Sequence, residues 1–272
     1  VAVAAKNTSD TYKTVPFPPN PNSPESTIRT VEREIREAGG DATAIAVDTR
    51  DFASLERLVG RTMETYGRLD FLIYNSGAIW WASVEKTPMK RFQLMQRVNI
   101  EGVYGAIQAT LPQFERNGWK GRIIVVSPPI YSRFFRGKTA YAMEKIGMSV
   151  LTKGSAVDWE REAKTGMAIT SIWPAAAIQS AATENVGHEN IKDLRKPTIY
   201  SDAILAILRA PLSTVNGCLE LDEGFFRKIG MTDFSKYNVV PGSTPRRIMP
   251  AEFPDLTVSE QHMRANELTA RN

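Results

Sequence analysis

Tyr141 and Lys145 stand four residues apart in the run Tyr-Ala-Met-Glu-Lys. On a helix, residues at that spacing project from one face. An ammonium beside a phenol favours the phenolate and lowers the phenol's pKa. A phenol tuned this way gives or takes a proton at a carbonyl or alcohol oxygen. A bare Tyr-x-x-x-Lys arises often by chance, as a solvated helical pair. Its place gives it weight: it opens the helix that follows a strand ending in Ser127. Four other apolar runs also end in polar or turn residues: Lys6-Asn7, Asp48, Asn75-Ser76-Gly77 and Trp173-Pro174. A carboxylate at Asp48 can accept from an exocyclic amine such as adenine's, although a lone Asp there is more often a turn residue. The small residues Ser76 and Gly77 let a flat ligand approach the backbone.

The elements that would position these residues alternate along the chain. Strand-length apolar runs are read at 1–5, 42–48, 69–75, 121–127, 167–173 and 217–222. Helices are read at 28–38 (ended by Gly39-Gly40), from an Asp51 cap to Gly67, at 88–116, at 140–164, and from Ser201. The strands show no polar face. Buried strands alternating with helices predict an α/β fold, a doubly wound parallel sheet in three αβα layers. Ligands bind beyond the carboxyl ends of such strands, where the chemistry-bearing residues cluster. The Pro-rich stretch 8–25 reads as a loop. The domain is expected over 1–254, its last part an extension over the surface, with a polar tail at 255–272.

Composition narrows the partners. The 272 residues carry a formal charge of +4 without a basic run interleaved with aromatics, so nucleic acid is not expected. No apolar stretch is long enough to span a bilayer. His188 and His262 stand alone, and no Cys/His cluster has metal-ligand spacing. The single cysteine, Cys218, is expected to be a buried small hydrophobe in a strand, in a chain suited to a reducing compartment.

Asn75-Ser76-Gly77, Asn99, Ser127 and Tyr141-x-x-x-Lys145, in this order and spacing, resemble the short-chain dehydrogenase/reductases. The resemblance covers nearly the whole chain to about Pro254. Further segments resemble the hydroxysteroid dehydrogenase-like branch of that family: Glu37-Ala38-Gly39-Gly40, Val126-Ser127-Pro128-Pro129, Trp173-Pro174 and Leu221-Asp222-Glu223. The resemblance implies a Rossmann-like sheet and hydride transfer between a nicotinamide cofactor and a carbonyl or alcohol. Tyr141 would be the general acid/base. Lys145 would lower its pKa and hold the nicotinamide ribose. Ser127 would bond the substrate oxygen, and Asn99 would position a relay water. Asp48 would contact adenine, Asn75 and Gly77 would line the cleft, and Ile178 and Ser180 would lie near the carboxamide. Lys6 ends the strand whose tip meets the adenosine ribose; a cation there pairs with the 2′-phosphate, so NADP is expected before NAD. The family also implies a homodimer or homotetramer, and an intracellular location in cytoplasm, mitochondrion or peroxisome.

Several departures stand against the pattern. The glycine-rich phosphate loop of the family is missing, along with the first strand before it. The sequence reads as a piece of a longer gene product, and the second and fourth family strands are expected to lie unpaired in mid-sheet. Pro128 falls nearer the family's serine-to-tyrosine spacing than Ser127. Tyr74 replaces an Asn, and Ala175 replaces a Gly. The expected activity is NADP-dependent carbonyl/alcohol interconversion on a small molecule. Trp80, Trp81, Phe134, Phe135 and Trp173 either wall a pocket for a lipid-like substrate or are ordinary aromatics. The alternative function is a non-catalytic binding or scaffold protein that has lost its cofactor.

Overall fold

A computed structural model describes residues 1–6, 27–180, 183 and 190–254. The loop at 8–25, His188, His262 and the tail at 255–272 lie outside the described residues. Strand β1 (Ala2–Ala5) pairs in parallel with β2 (Thr43–Ala46), Ala2 opposite Thr43. Helix α1 (Ile28–Glu37) leads into β2 through Gly39, whose φ of +84° is a conformation that glycine adopts without strain. Asp51 caps α2 (Phe52–Tyr66) by accepting from the Ala53 N–H, and left-handed Gly67 ends it.

A second sheet has the order β3 (Phe71–Tyr74), β4 (Gly121–Val126), β5 (Met167–Trp173) and β8 (Leu219–Leu221), all parallel. The short strands β6 (Ala177–Ile178) and β7 (Leu194–Arg195) form a separate parallel pair. Strand side chains alternate across the sheet. Ile123 and Val125 of β4 therefore pack with Phe114 and Met148 on one side. Ile124 packs with Ile199 and Phe225 on the other. Helices α4 (Gly102–Arg116) and α5 (Thr139–Arg161) cover the first face. Helix α6 (Thr198–Arg209), the short α7 (Leu212–Val215) and α8 (Asp222–Lys228) belong to the second. This is the doubly wound three-layer arrangement that the alternating pattern predicts.

The sheet is in two pieces. Among the described residues no strand joins β1 to β3, and each keeps an unpaired edge. Phe71 and Ile73 of β3 are about half exposed, at 50% and 46%. The pieces are held by helix packing: Val47 and Leu55 share a cluster with Val103, Ala106 and Ile107 of α4.

The structure corrects five expectations. The helix read at 88–116 is three segments: α3 (Met89–Met95), a π-helical stretch Gln96–Glu101, and α4. Helix α6 starts at Thr198, just after Pro197, rather than at Ser201. The last sheet strand stops at Leu221, because Asp222 turns the chain into α8 by accepting from the N–H groups of Ala175 and Glu223. The stretch after residue 226 is not merely a surface extension. Phe234, Tyr237 and Met249 are buried, and Tyr237 stacks on Phe226. Cys218 is half-buried and lies just before β8.

Candidate active site

Tyr141 lies in the first turn of α5, where unsatisfied N–H groups and the helix dipole favour negative charge. It is 5% exposed, between Phe134 and Trp81, with ring centroids 6.2 and 6.3 Å away. Burial pushes the phenol well above its ordinary pKa, the reverse of the lowering expected from a neighbouring Lys145, because desolvation outweighs any charge effect here. No described residue hydrogen-bonds its hydroxyl. One turn further on, the buried Lys145 Nζ donates to the Val126 carbonyl at 2.9 Å. Burial without a carboxylate partner pulls this ammonium down to about 8. An ammonium has three protons, and Val126 uses one. The Nζ also lies 5.5 Å from the Trp173 ring centroid.

The end of β3 closes on the same atoms. A Cβ placed on Gly77 would lie 3.5 Å from both Asn99 Oδ1 and Lys145 Nζ. Gly77, Asn99 and Lys145, far apart in sequence, thus meet at one point. The π-helical stretch carries fully buried Asn99, whose Oδ1 accepts from the Ala78 N–H at 2.9 Å. Its Nδ2 donates to the Ala78 carbonyl at 3.0 Å. The amide is therefore occupied in clamping the loop after β3. π-Bulges of this kind occur often at functional sites.

Ser127 is packed against α5. It is fully buried, and its hydroxyl meets that of Ser149 at 2.9 Å. Ser149 also reaches the Pro128 carbonyl at 2.6 Å. A hydroxyl has one proton. Ser149 shares its proton between the Pro128 carbonyl and the Ser127 hydroxyl, which accepts. Ser127 accepts here and keeps its own proton for another acceptor.

At the other end of the cleft, Lys6 Nζ lies 3.7 Å from Asp48, so the two residues expected at the adenosine end come together. Arg50 joins them by donating from Nε to Asp48 at 2.8 Å. This hydrogen bond, with the adjacent charges, holds Asp48 far below the usual carboxylate range. Arg50 was not singled out from sequence; its only signal was a cation two residues after a strand-end acid. Asn75 is exposed at the tip of β3. Ile178 lies in β6, and the Ser180 hydroxyl is within 3.3 Å of the Ile178 carbonyl, inside its own turn. Among the described residues, no hydrogen bond ties either to Tyr141 or Lys145. The turn before them is set by Asp222, which accepts from the Ala175 N–H. Sequence reasoning did not identify Asp222 or Ser149 either, because both act through tertiary contacts.

The residues fit a nicotinamide nucleotide at two of its three parts. At the nicotinamide end, Gly77 leaves a cradle beside Lys145, and the buried Trp173 indole N–H has no partner. At the adenosine end, Lys6 and Arg50 supply cations beside Asp48. Between them, the chain has no glycine-rich loop before a helix to grip a pyrophosphate. Among the described residues no cluster of His, Cys, Asp or Glu could hold a metal ion. None of their helices is long and apolar enough to cross a membrane.

A sequence profile described as short chain dehydrogenase matches residues 22–190. The zebrafish (Danio rerio) hydroxysteroid dehydrogenase-like protein 2 is 35% identical over 227 residues, covering 82% of this chain and 53% of that protein. The chain spans about half the length of the curated relatives it matches. The crystal structure of a putative dehydrogenase from Xanthomonas campestris superposes with a TM-score of 0.78 at 31% identity, covering 96% of this chain and 89% of that one. A short chain dehydrogenase from Mycobacterium thermoresistibile gives 0.75 at 34% identity, covering 89% and 83%. With the parallel sheet, the Tyr141–Lys145 helix and the Gly77–Asn99 junction in place, the chain belongs to the short-chain dehydrogenase family.

Proposed function

We propose that the chain is an NADP-dependent oxidoreductase unit that interconverts a carbonyl and an alcohol on a small, largely apolar substrate. The observation that carries this reading is the convergence of Gly77, Asn99 and Lys145 one helical turn from an unpartnered phenol. A bound nicotinamide supplies or accepts the hydride. Tyr141 gives its phenolic proton to the carbonyl oxygen, or takes it from the alcohol. The α5 N-terminus and the ammonium of Lys145 favour the phenolate that remains. Lys145 keeps two protons for ribose hydroxyls while Val126 fixes its third. Asn99 holds the Gly77–Ala78 backbone against that site. Lys6, joined by Arg50, reads the 2′-phosphate, and Asp48 faces the adenine. Ile178 and Ser180 keep their place near the carboxamide as part of this proposal. Ser127, which accepts from Ser149 and keeps its own proton, bonds the substrate oxygen as part of this proposal.

The domain spans 1–254, with a tail at 255–272. The exposed side chains Met143, Val150 and Val157, spaced seven apart along α5, together with Tyr104 on α4, support a homodimer or homotetramer formed through these helices. The lone cysteine supports an intracellular site of action, with the cytoplasm foremost. A second reading, a binding or scaffold protein without turnover, draws on the divided sheet of the described residues.

Replacing Tyr141 by Phe separates the two. On the oxidoreductase reading, Tyr141→Phe lowers kcat by about 10²-fold or more and leaves NADPH affinity within about threefold. Retained turnover removes Tyr141 from the mechanism.

A further inference from the structure

Lys138 precedes α5, one turn before Tyr141, and directly follows left-handed Gly137. Its ammonium lies 4.6 Å from the Trp81 ring centroid and 4.2 Å from that of Phe134. These are the two rings that flank Tyr141. Among the described residues, no carboxylate or other hydrogen-bond acceptor pairs with it. Burial pulls its pKa below the ordinary lysine value. The first turn of α5 contains no acidic residue and no side-chain cap, so the positive end of a long helix is also unneutralised there.

The ammonium borders a cavity of about 330 Å³. The cavity opens to solvent and its accessible lining is mostly polar, with Tyr131, Phe134 and Met249 supplying the apolar part. Its polar lining is two cations, Lys138 and Arg247, and no acid. Arg247 is fixed: it donates to Glu223 and to the carbonyls of Met249 and Pro250. Glu223 also binds Arg195, and Asp222 lies beside both, so the two arginines are matched by two carboxylates and Lys138 is the cation left without one. An open, mostly polar cleft with the Lys138 ammonium at its edge, one turn from the reacting phenol, favours a charged group over a purely hydrophobic one. A half-buried ammonium without a counter-ion is costly, and an anion that enters repays that cost through a charge-assisted hydrogen bond.

We propose that Lys138 recognises an anionic group, a carboxylate or phosphate ester, on an apolar substrate whose carbonyl or alcohol lies at Tyr141. The reading rests on Tyr141 facing the substrate, and it narrows the substrate class to acidic, lipid-like carbonyl compounds.

The experiment needs neither cofactor nor turnover, so its failure is distinct from failure of the oxidoreductase reading. Octanoate, octyl phosphate and octanol are titrated into the full chain by calorimetry, alongside Lys138→Gln and Lys138→Arg. Wild type should bind at least one of the two anions about tenfold or more tighter than octanol. Lys138→Gln should bring anion and alcohol to within about threefold, and Lys138→Arg should restore the preference. Which anion is preferred identifies the head group. The proposal is overturned if wild type binds octanol as tightly as both anions or binds no anion, if the preference survives in Lys138→Gln, or if a folded Lys138→Arg fails to restore it.

Discussion

Lys145 contributes its chemistry at a cost to folding. It is buried, with a carbonyl rather than a carboxylate for partner, and its pKa falls to about 8. The unfolded chain holds this proton to about 10.5, the ordinary lysine value. Between those two pH values the unfolded state binds more protons than the folded one, so stability rises with pH across that window. Below about pH 8 the buried charge is destabilising by up to about 3 kcal/mol, at about 1.4 kcal/mol per pKa unit. Urea unfolding of wild type and Lys145→Met, compared at pH 7.5 and 10, should show the gap between them shift in favour of wild type at the higher pH. A constant gap would mean that Lys145 does not titrate in this range. At this scale the sequence was informative about identities and silent about directions. The order and spacing of Gly77, Asn99 and Lys145 named three residues that meet. Nothing in Val-Val-Ser-Pro-Pro shows that Ser127 bonds Ser149, because that contact comes from a helix twenty-two residues further on.

Asn99 shows what an element adds. A continuous helix over 88–116 would be packed by its apolar stripe alone. The π-helical stretch Gln96–Glu101 shifts the register of that stripe, and Asn99 lies within it, bonded to both polar groups of Ala78. Hydrophobic periodicity does not reveal a shift of this size, so the break was not legible in advance. Asn99→Ala leaves the part-buried Ala78 N–H and carbonyl without these partners. The expected loss is about 1–3 kcal/mol of stability, measured by urea unfolding. The loop carrying Gly77 should loosen with it, so the variant should also bind NADPH more weakly. A variant as stable as wild type would show that the clamp contributes nothing to holding the loop. The other missed features have the same origin: α8 begins where it does because Asp222 meets Ala175 across the fold.

Across the whole molecule, alternation of strands and helices made the three-layer fold legible, and the opening apolar run made the divided sheet legible too. What was not legible was how the chain after residue 226 is tied down. Arg195 and Arg247 both bond Glu223, which is 4% exposed in its side chain, and Arg195 also bonds Asn238 and the Phe234 carbonyl. Such a network depends on residues brought together only by folding. Glu223→Ala leaves buried guanidinium charge unpaired, and a loss of about 3–5 kcal/mol is expected in urea unfolding. A loss under about 1 kcal/mol would mean that the network is solvated in solution.

The most direct test of the central claim is a titration of the chain with NADPH and NADH, followed by tryptophan fluorescence. Trp173 lies close enough to Lys145 to report on the nicotinamide end. The account predicts saturable quenching with NADPH bound more tightly than NADH, and Lys6→Asp shifting the preference toward NADH by about tenfold or more. No saturable change with either nucleotide would contradict the oxidoreductase reading for this chain and favour a fold kept for binding alone.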